Sequence, residues 1–153
     1  MKIGLGFDVH PFGGDGPLVL AGVELEGPAL RGHSDADAVA HAVADALLGA
    51  AGLPDLGTLF PASDEQYRGA SSMALLVDVV GRVRAAGWQP GNVDVVIAAE
   101  EPRLGPHVAA MAAALTAALG GPVSVKAKRG EGLGAIGRAE GIAAWAVALL
   151  EPV

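Results

Sequence analysis

The chain opens on a strict alternation, with Ile3, Leu5, Phe7 and Val9 set against Gly4, Gly6, Asp8 and His10. Period two with one apolar side predicts a strand over Lys2–Val9. Successive side chains of a strand point to opposite faces, so Asp8 and His10 share the face opposite the apolar one, close enough together to hold a single ion. A solvent-facing polar edge would account for the same pair. Everything downstream has to be arranged around this strand and the chemistry at its end.

The following segments alternate between strand and helix signals. Leu18–Leu25 reads as a second strand after the turn-rich 11–17. Ser34 opens a helix, with Asp37 three residues on in a near capping box, and Gly52 and Pro54 stop it after about Ala51. Residues 55–67 read as loop, and 71–86 as an amphipathic helix ended by Gly87. Val93–Ala98 is a strand, Pro106 starts a third helix to about Leu119, and Val123–Ala127 is a strand. Lys128–Gly141 is a Gly-rich charged loop, long enough to suggest a function. Ile142–Leu150 is apolar at almost every position and fits helix or strand alike. The order predicts one α/β or α+β domain built on a single sheet, spanning residues 1–153.

Composition narrows the classes of function. With 52% hydrophobic and 18% charged residues, the chain is globular rather than disordered. A formal charge of −7 argues against general nucleic-acid binding, which depends on basic patches. There is no Cys, which removes disulfide scaffolds and thiol nucleophiles, and no G-x-S-x-G elbow or Walker loop occurs. A charge and Gly come too early for a signal-peptide core, and no apolar run reaches membrane length, so a soluble, cytoplasmic protein is expected. The chain has 31 Ala but only six aromatics, few large residues for a core, and this leans towards an oligomer.

Four constellations can carry chemistry. Asp37, His41 and Asp45, four apart, form a polar stripe on the first helix, which would equally serve as a solvated face. Taken with the first strand, Asp8, His10 and His41 supply one carboxylate and two imidazoles, a donor set suited to tetrahedral zinc with an open fourth position. Asp45 is then a candidate acceptor for the free nitrogen of a ligating imidazole. Lys126 to Gly134 sets Lys and Arg beside Gly, as phosphate oxygens require, with Glu131 able to hold a divalent cation; an exposed basic turn would look the same. Asp55-Leu56-Gly57 before Phe60-Pro61 could bond a sugar-like hydroxyl.

The segments from Ile3 to His10, His33 to Ala50, Asp55-Leu56-Gly57, Phe60-Pro61, Gly91 to Asp94, Gly105-Pro106-His107, Glu131 to Gly134 and Gly137 to Ile142 together resemble the 2-C-methyl-D-erythritol 2,4-cyclodiphosphate synthases. The blocks run in family order to about Leu150, and the length fits the stand-alone form rather than a fusion with a cytidylyltransferase. The resemblance implies an α+β single domain with a four-stranded mixed sheet, helices on one face, and Ile142–Leu150 as its last strand. It implies a homotrimer with active sites between subunits, converting 4-diphosphocytidyl-2-C-methyl-D-erythritol 2-phosphate to the 2,4-cyclodiphosphate with release of CMP.

It further implies one zinc ion per subunit on Asp8, His10 and His41, and a second divalent ion, Mg or Mn, helped by Glu131. Substrate would meet Asp8, Val9 and His10, and its phosphates His33 and Ser34, with His33 a transition-state stabiliser. Asp55, Leu56, Gly57 and the run Phe60, Pro61, Ala62, Ser63, Asp64 would wall the methylerythritol part. Ala99, Glu100, Glu101, Pro102, Arg103, Leu104 and Gly105 would form the cytidine pocket, with Lys128, Arg129, Gly130 and Glu131 beside the diphosphate. Arg129 stands where the family has a Thr that stabilises the leaving group, Ala62 where an acidic residue is usual, and Ala135 where an aromatic is common. Arg138 matches a residue of an axial pocket for an isoprenoid diphosphate. The alternatives are a trimeric metal- and nucleotide-binding protein whose turnover is weak or lost through the change at 128–130, and a zinc phosphohydrolase.

Overall fold

The computed structural model describes all residues, Met1–Val153. Strand β1 (Lys2–Pro11) is followed by β2 (Leu18–Leu20) and β3 (Val23–Leu25), helix α1 (Ala38–Ala51) and the short α2 (Leu56–Leu59). Then come α3 (Ser72–Ala85), β4 (Trp88–Ala98), α4 (Val108–Leu119), β5 (Val123–Lys128), the one-turn α5 (Gly134–Gly137) and β6 (Gly141–Pro152). The main sheet is four-stranded and mixed, in the order β1-β6-β4-β5, with β6 antiparallel to both neighbours and β4 parallel to β5. Helices α1, α3 and α4 pack on one face of it, so the expected single-domain α+β architecture holds. Ile142–Leu150 is strand, because this run lies between β1 and β4 and pairs on both edges. No helix is long and apolar enough to cross a membrane.

The strand at the start has the opposite orientation from an ordinary amphipathic one. Gly4 and Gly6 face the helices, while Ile3, Leu5, Phe7 and Val9 are exposed. The cause is backbone proximity. A Cβ on Gly4 would lie 2.0 Å from the Ala46 carbonyl oxygen, and one on Gly6 only 1.8 Å from that of Ala42. Alanines continue the fit, since Gly4, Gly6 and Asp8 pair across β6 with Ala148, Ala146 and Ala144. The small-residue composition is thus a device for laying α1 almost directly on β1. With 11 of its 14 residues buried, α1 is the centre of the core. Asp8 and His10 consequently face α1 rather than forming a solvent-facing edge.

Two local expectations are corrected. Leu18–Leu25 is a hairpin of two three-residue strands, reversed at Ala21 and Gly22, both at positive φ. The helix begins at Ala38 with Asp37 as its cap, not at Ser34. One residue explains both. The Asp37 carboxylate accepts N–H bonds from Val39 and Ala40 at 3.1 and 3.0 Å, and from Ala21 and Gly22 at 2.8 Å each. It therefore caps the helix and fixes the hairpin turn together. Asp37 is fully buried, so the polar stripe begins inside the core.

Candidate active site

The close approach of α1 to β1 sets His41 beside the strand's end. Its Nδ1 lies 2.9 Å from Asp8 Oδ2, and His10 Nε2 lies 2.9 Å from that same oxygen. The two ring nitrogens are 3.3 Å apart, and all three candidate ligand atoms fall within 4.8 Å of one another. His10 is aimed from behind, because its Nδ1–H donates to the Arg31 carbonyl at 2.9 Å. Gly32 permits that contact; a Cβ there would crowd the ring at 3.0 Å. One carboxylate oxygen and two imidazole nitrogens, turned on each other at the mouth of a cavity, fit a divalent transition metal such as zinc. Burial would raise the Asp8 carboxyl, but hydrogen bonds from His10 and His41 and their charge outweigh it and hold the group at about 2. Burial likewise lowers His10, yet the hydrogen bond and charge of Asp8 prevail and raise it.

The triad opens into a cavity of about 310 Å³ whose lining includes His33, Ser34, Leu56, Gly57, Phe60 and Ala62. His33 Nε2 is buried there without a hydrogen-bond partner. Such an atom is costly to leave unpaired and suits a bound polar group. Asp55 stands apart, accepting the Thr58 N–H at 2.7 Å as the cap of α2. Pro61, Ser63 and Asp64 follow outside the lining, where Asp64 caps the turn at 65–67. Val9 points to the opposite sheet face and is exposed.

A second cavity, about 320 Å³, lies beyond the ends of β4 and β5. Ala99, Glu100, Pro102, Arg103, Leu104, Gly105, Lys128 and Arg129 line it. Glu100 spans the two loops, accepting from Arg129 Nη2 at 2.6 Å and from the Gly130 N–H at 3.0 Å. Glu101 and Glu131 lie outside the lining; Glu131 is exposed at a turn with positive φ and belongs to no cluster of metal-ligating groups. Arg138 is exposed and pairs with Glu140 at 2.7 Å. Residues 128–141 are not all loop, since α5 gives them one helical turn.

Behind His41 the structure departs from the expectation for Asp45, which accepts the Leu56 N–H at 2.8 Å and makes no bond to the ring. The partners of His41 Nε2 are instead Ser72 Oγ at 2.8 Å and Ser34 Oγ at 3.2 Å. Asp35 grips Ser72 twice, accepting its hydroxyl and its N–H, the latter at 3.0 Å. No local spacing in the sequence points to a role for Ser72 or Asp35. Ser72 is 31 residues from His41, and only the packing of α3 on α1 reveals the contact. Tyr67 and Leu75 also complete the first cavity unannounced, Tyr67 meeting Phe60 edge-on at 5.3 Å.

Comparison with known proteins agrees with this geometry. The model of the YgbB family matches residues 1–151. The 2-C-methyl-D-erythritol 2,4-cyclodiphosphate synthase of Bordetella petrii is 52% identical, the match covering 97% of this chain and 94% of that one. The bifunctional enzyme IspD/IspF of Anaeromyxobacter sp. strain Fw109-5 is 54% identical over 98% of this chain, which spans only 40% of that longer protein. Among solved structures, the CDP complex of IspF from Plasmodium falciparum superposes with a TM-score of 0.86 at 31% identity, covering 99% of this chain and 96% of that one. The triad, the paired cavities and the full-length matches have one source: the chain belongs to the YgbB family, that of the 2-C-methyl-D-erythritol 2,4-cyclodiphosphate synthases.

Proposed function

We propose that the chain converts 4-diphosphocytidyl-2-C-methyl-D-erythritol 2-phosphate to 2-C-methyl-D-erythritol 2,4-cyclodiphosphate and CMP, as a cytoplasmic phosphorus–oxygen lyase of non-mevalonate isoprenoid biosynthesis. The observation that carries this reading is Asp8, His10 and His41 converging at a cavity in a chain that matches named synthases over nearly its whole length. The same match favours an active enzyme over a metal- and nucleotide-binding protein without turnover.

The bond formed joins an oxygen of the 2-phosphate to the β-phosphorus. The bond broken is that from the β-phosphorus to the oxygen it shares with the α-phosphorus, which departs with CMP. The attacking oxygen is already anionic at neutral pH, so no side chain has to remove a proton. The work left to the protein is holding the two phosphates in line and offsetting their charge. His33, through its unpaired Nε2, and Ser34 would bind phosphate oxygens beside the triad. Leu56, Gly57, Phe60 and Ala62 give the first cavity an apolar wall for the methylerythritol carbons, and Asp55, the cap of α2 just before them, would reach a hydroxyl of the same part.

In the second cavity, residues 99–105 would hold the nucleoside, in keeping with a CDP complex in the Plasmodium relative. Lys128, Arg103 and Arg129 line the same cavity and would be the cations beside the leaving phosphate, Arg129 standing in for the family's Thr. Asp8, His10 and His41 would hold one zinc ion per subunit, which supplies positive charge to a phosphate oxygen and makes the phosphorus more electrophilic. Glu131 would contribute to a second divalent ion, Mg or Mn, which would offset phosphate charge when bound.

Two features support a homotrimer with sites between subunits. The substrate needs both cavities, which are lined separately in one chain, and the outer sheet face is apolar and bare on β1 and β6. The test is turnover followed by phosphorus NMR with zinc and Mg present. Cyclic diphosphate with equimolar CMP is expected. CMP without the ring makes the chain a phosphohydrolase, and folded, zinc-loaded protein that gives no product leaves a binding protein.

A further inference from the structure

Donor counting through the contacts behind His41 fixes which of its ring nitrogens carries a proton there. An ionised Asp35 can only accept, and it takes both the Ser72 N–H and the Ser72 hydroxyl. With its proton committed to Asp35, the Ser72 oxygen offers only lone pairs. His41 Nε2, 2.8 Å away, must therefore be the donor. A neutral imidazole carrying its proton on Nε2 presents a bare Nδ1, and that is the atom 2.9 Å from Asp8 Oδ2 and 3.3 Å from His10 Nε2; only the doubly protonated ring donates to Asp8 as well. Ser34 Oγ, 3.2 Å from Nε2, can share the same proton.

We propose that Asp35 and Ser72 are positioning residues for the metal: acting through a hydroxyl, they lock His41 in the Nε2–H tautomer whose Nδ1 can ligate. The inference rests on the triad being a metal site. Burial supports it, because Ser72 is 2% exposed and its hydroxyl is enclosed by Asp35, His41 and Ser34. The wiring also links three parts of the chain, since Asp35 lies before α1, His41 on α1 and Ser72 at the first turn of α3. The two imidazoles are thus set by different means. His10 is fixed by a backbone carbonyl, which no substitution of its neighbour's side chain removes. His41 is fixed by side chains, so its ligand atom depends on the charge of Asp35.

Asp35→Asn tests this without changing shape. With its carbonyl kept on the Ser72 N–H, the amide N–H2 donates to the Ser72 oxygen, giving up the bond from the Asp37 N–H; this frees the hydroxyl to donate to His41 Nε2 and populates the Nδ1–H form. Zinc affinity, measured by competition with a chromophoric chelator, should fall about 10- to 100-fold, the range for such supporting contacts. Ser72→Ala should lose affinity too, with Ser34 left as the remaining acceptor. The direct readout is the pair of ring 15N shifts of His41 in metal-free protein at pH 8. They should report a bare Nδ1 in the parent and a protonated Nδ1 gaining population in Asp35→Asn.

Unchanged zinc affinity in both folded variants overturns the proposal, and so does an Nδ1–H ring in the parent. If the parent itself fails to bind zinc, the metal reading fails; the ring shifts still decide whether the relay sets the tautomer. A purely structural role would lower the melting temperature while leaving zinc affinity and the ring shifts of the folded protein as they are.

Discussion

On β1 and the middle of β6 the two faces of the main sheet carry side chains in the reverse of the usual order of size. Towards the helices, β1 and β6 present Gly4, Gly6, Ala144, Ala146 and Ala148, over which α1 lies almost in backbone contact. Away from them they present Ile3, Leu5, Phe7, Val9, Trp145 and Val147, all exposed. Leu5 pairs with Val147 and Phe7 with Trp145, their rings 5.2 Å apart. On β4 and β5 the same outer face becomes polar, with Asp94 and Lys126 paired at 2.6 Å. The difference separates two tasks. Small residues fix how near α1 comes, and so where His41 meets Asp8; large ones make a surface that only another protein surface would bury.

The largest effect should come from breaking the bare face. Burying a leucine is worth about 2 kcal/mol, hence ~6 kcal/mol over the three copies of the proposed trimer. Leu5→Asp should therefore shift sedimentation from trimer to monomer and abolish turnover. The circular dichroism should be retained, because the side chain points away from the core. A parent that sediments as a monomer would separate the apolar face from assembly. The covered face should break differently. In Gly6→Ala the new methyl meets a backbone oxygen that cannot step aside, so unfolding should be easier by about 3 kcal/mol, with zinc affinity falling as His41 is pushed from Asp8. Gly49→Ala is the control, since nothing lies within 4 Å of a Cβ there; in an exposed helical position it should stabilise by up to about 1 kcal/mol.

The sequence carried the elements because periodicity and stop signals are local: α3, β5 and the end of α1 at Gly52 lie where spacing and breakers put them. Which side of β1 would be covered was not local. Alternation is symmetric between a strand with its apolar face inward and one with it outward, and the glycines acquire meaning only once α1 lies on them. The same limit applies at the site. Asp8, His10 and His41 were legible because the strand and the helix each have a fixed period, while the resemblance supplied the rest of the two cavities. Asp45 was the natural candidate to support the ring because it is one helical turn from His41. Ser72 fills that place by tertiary contact, which no spacing within α1 encodes.

The triad ends the covered face, and its charges sharpen the contrast with the uncharged outer side at β1. In metal-free protein Asp8 is held at about 2 against 3.8 when free. A lowered carboxyl stabilises the fold above its free value and loses that contribution as pH falls through the folded one. The loss should be about 2 kcal/mol between pH 4 and pH 2. His10 is raised from 6.5, so its share is complete below that pH and disappears as pH climbs through its folded value. Chelator-treated protein should accordingly melt highest between about pH 4 and pH 6.5 as far as this pair is concerned. Zinc reverses the upper limb, because it needs His10 neutral and competes with the proton for Nε2. Melting curves of zinc-loaded and chelated protein should then diverge as pH rises past 6.5 and converge as it falls. Parallel curves from pH 5 to pH 8 would mean that the ion is held somewhere other than on His10.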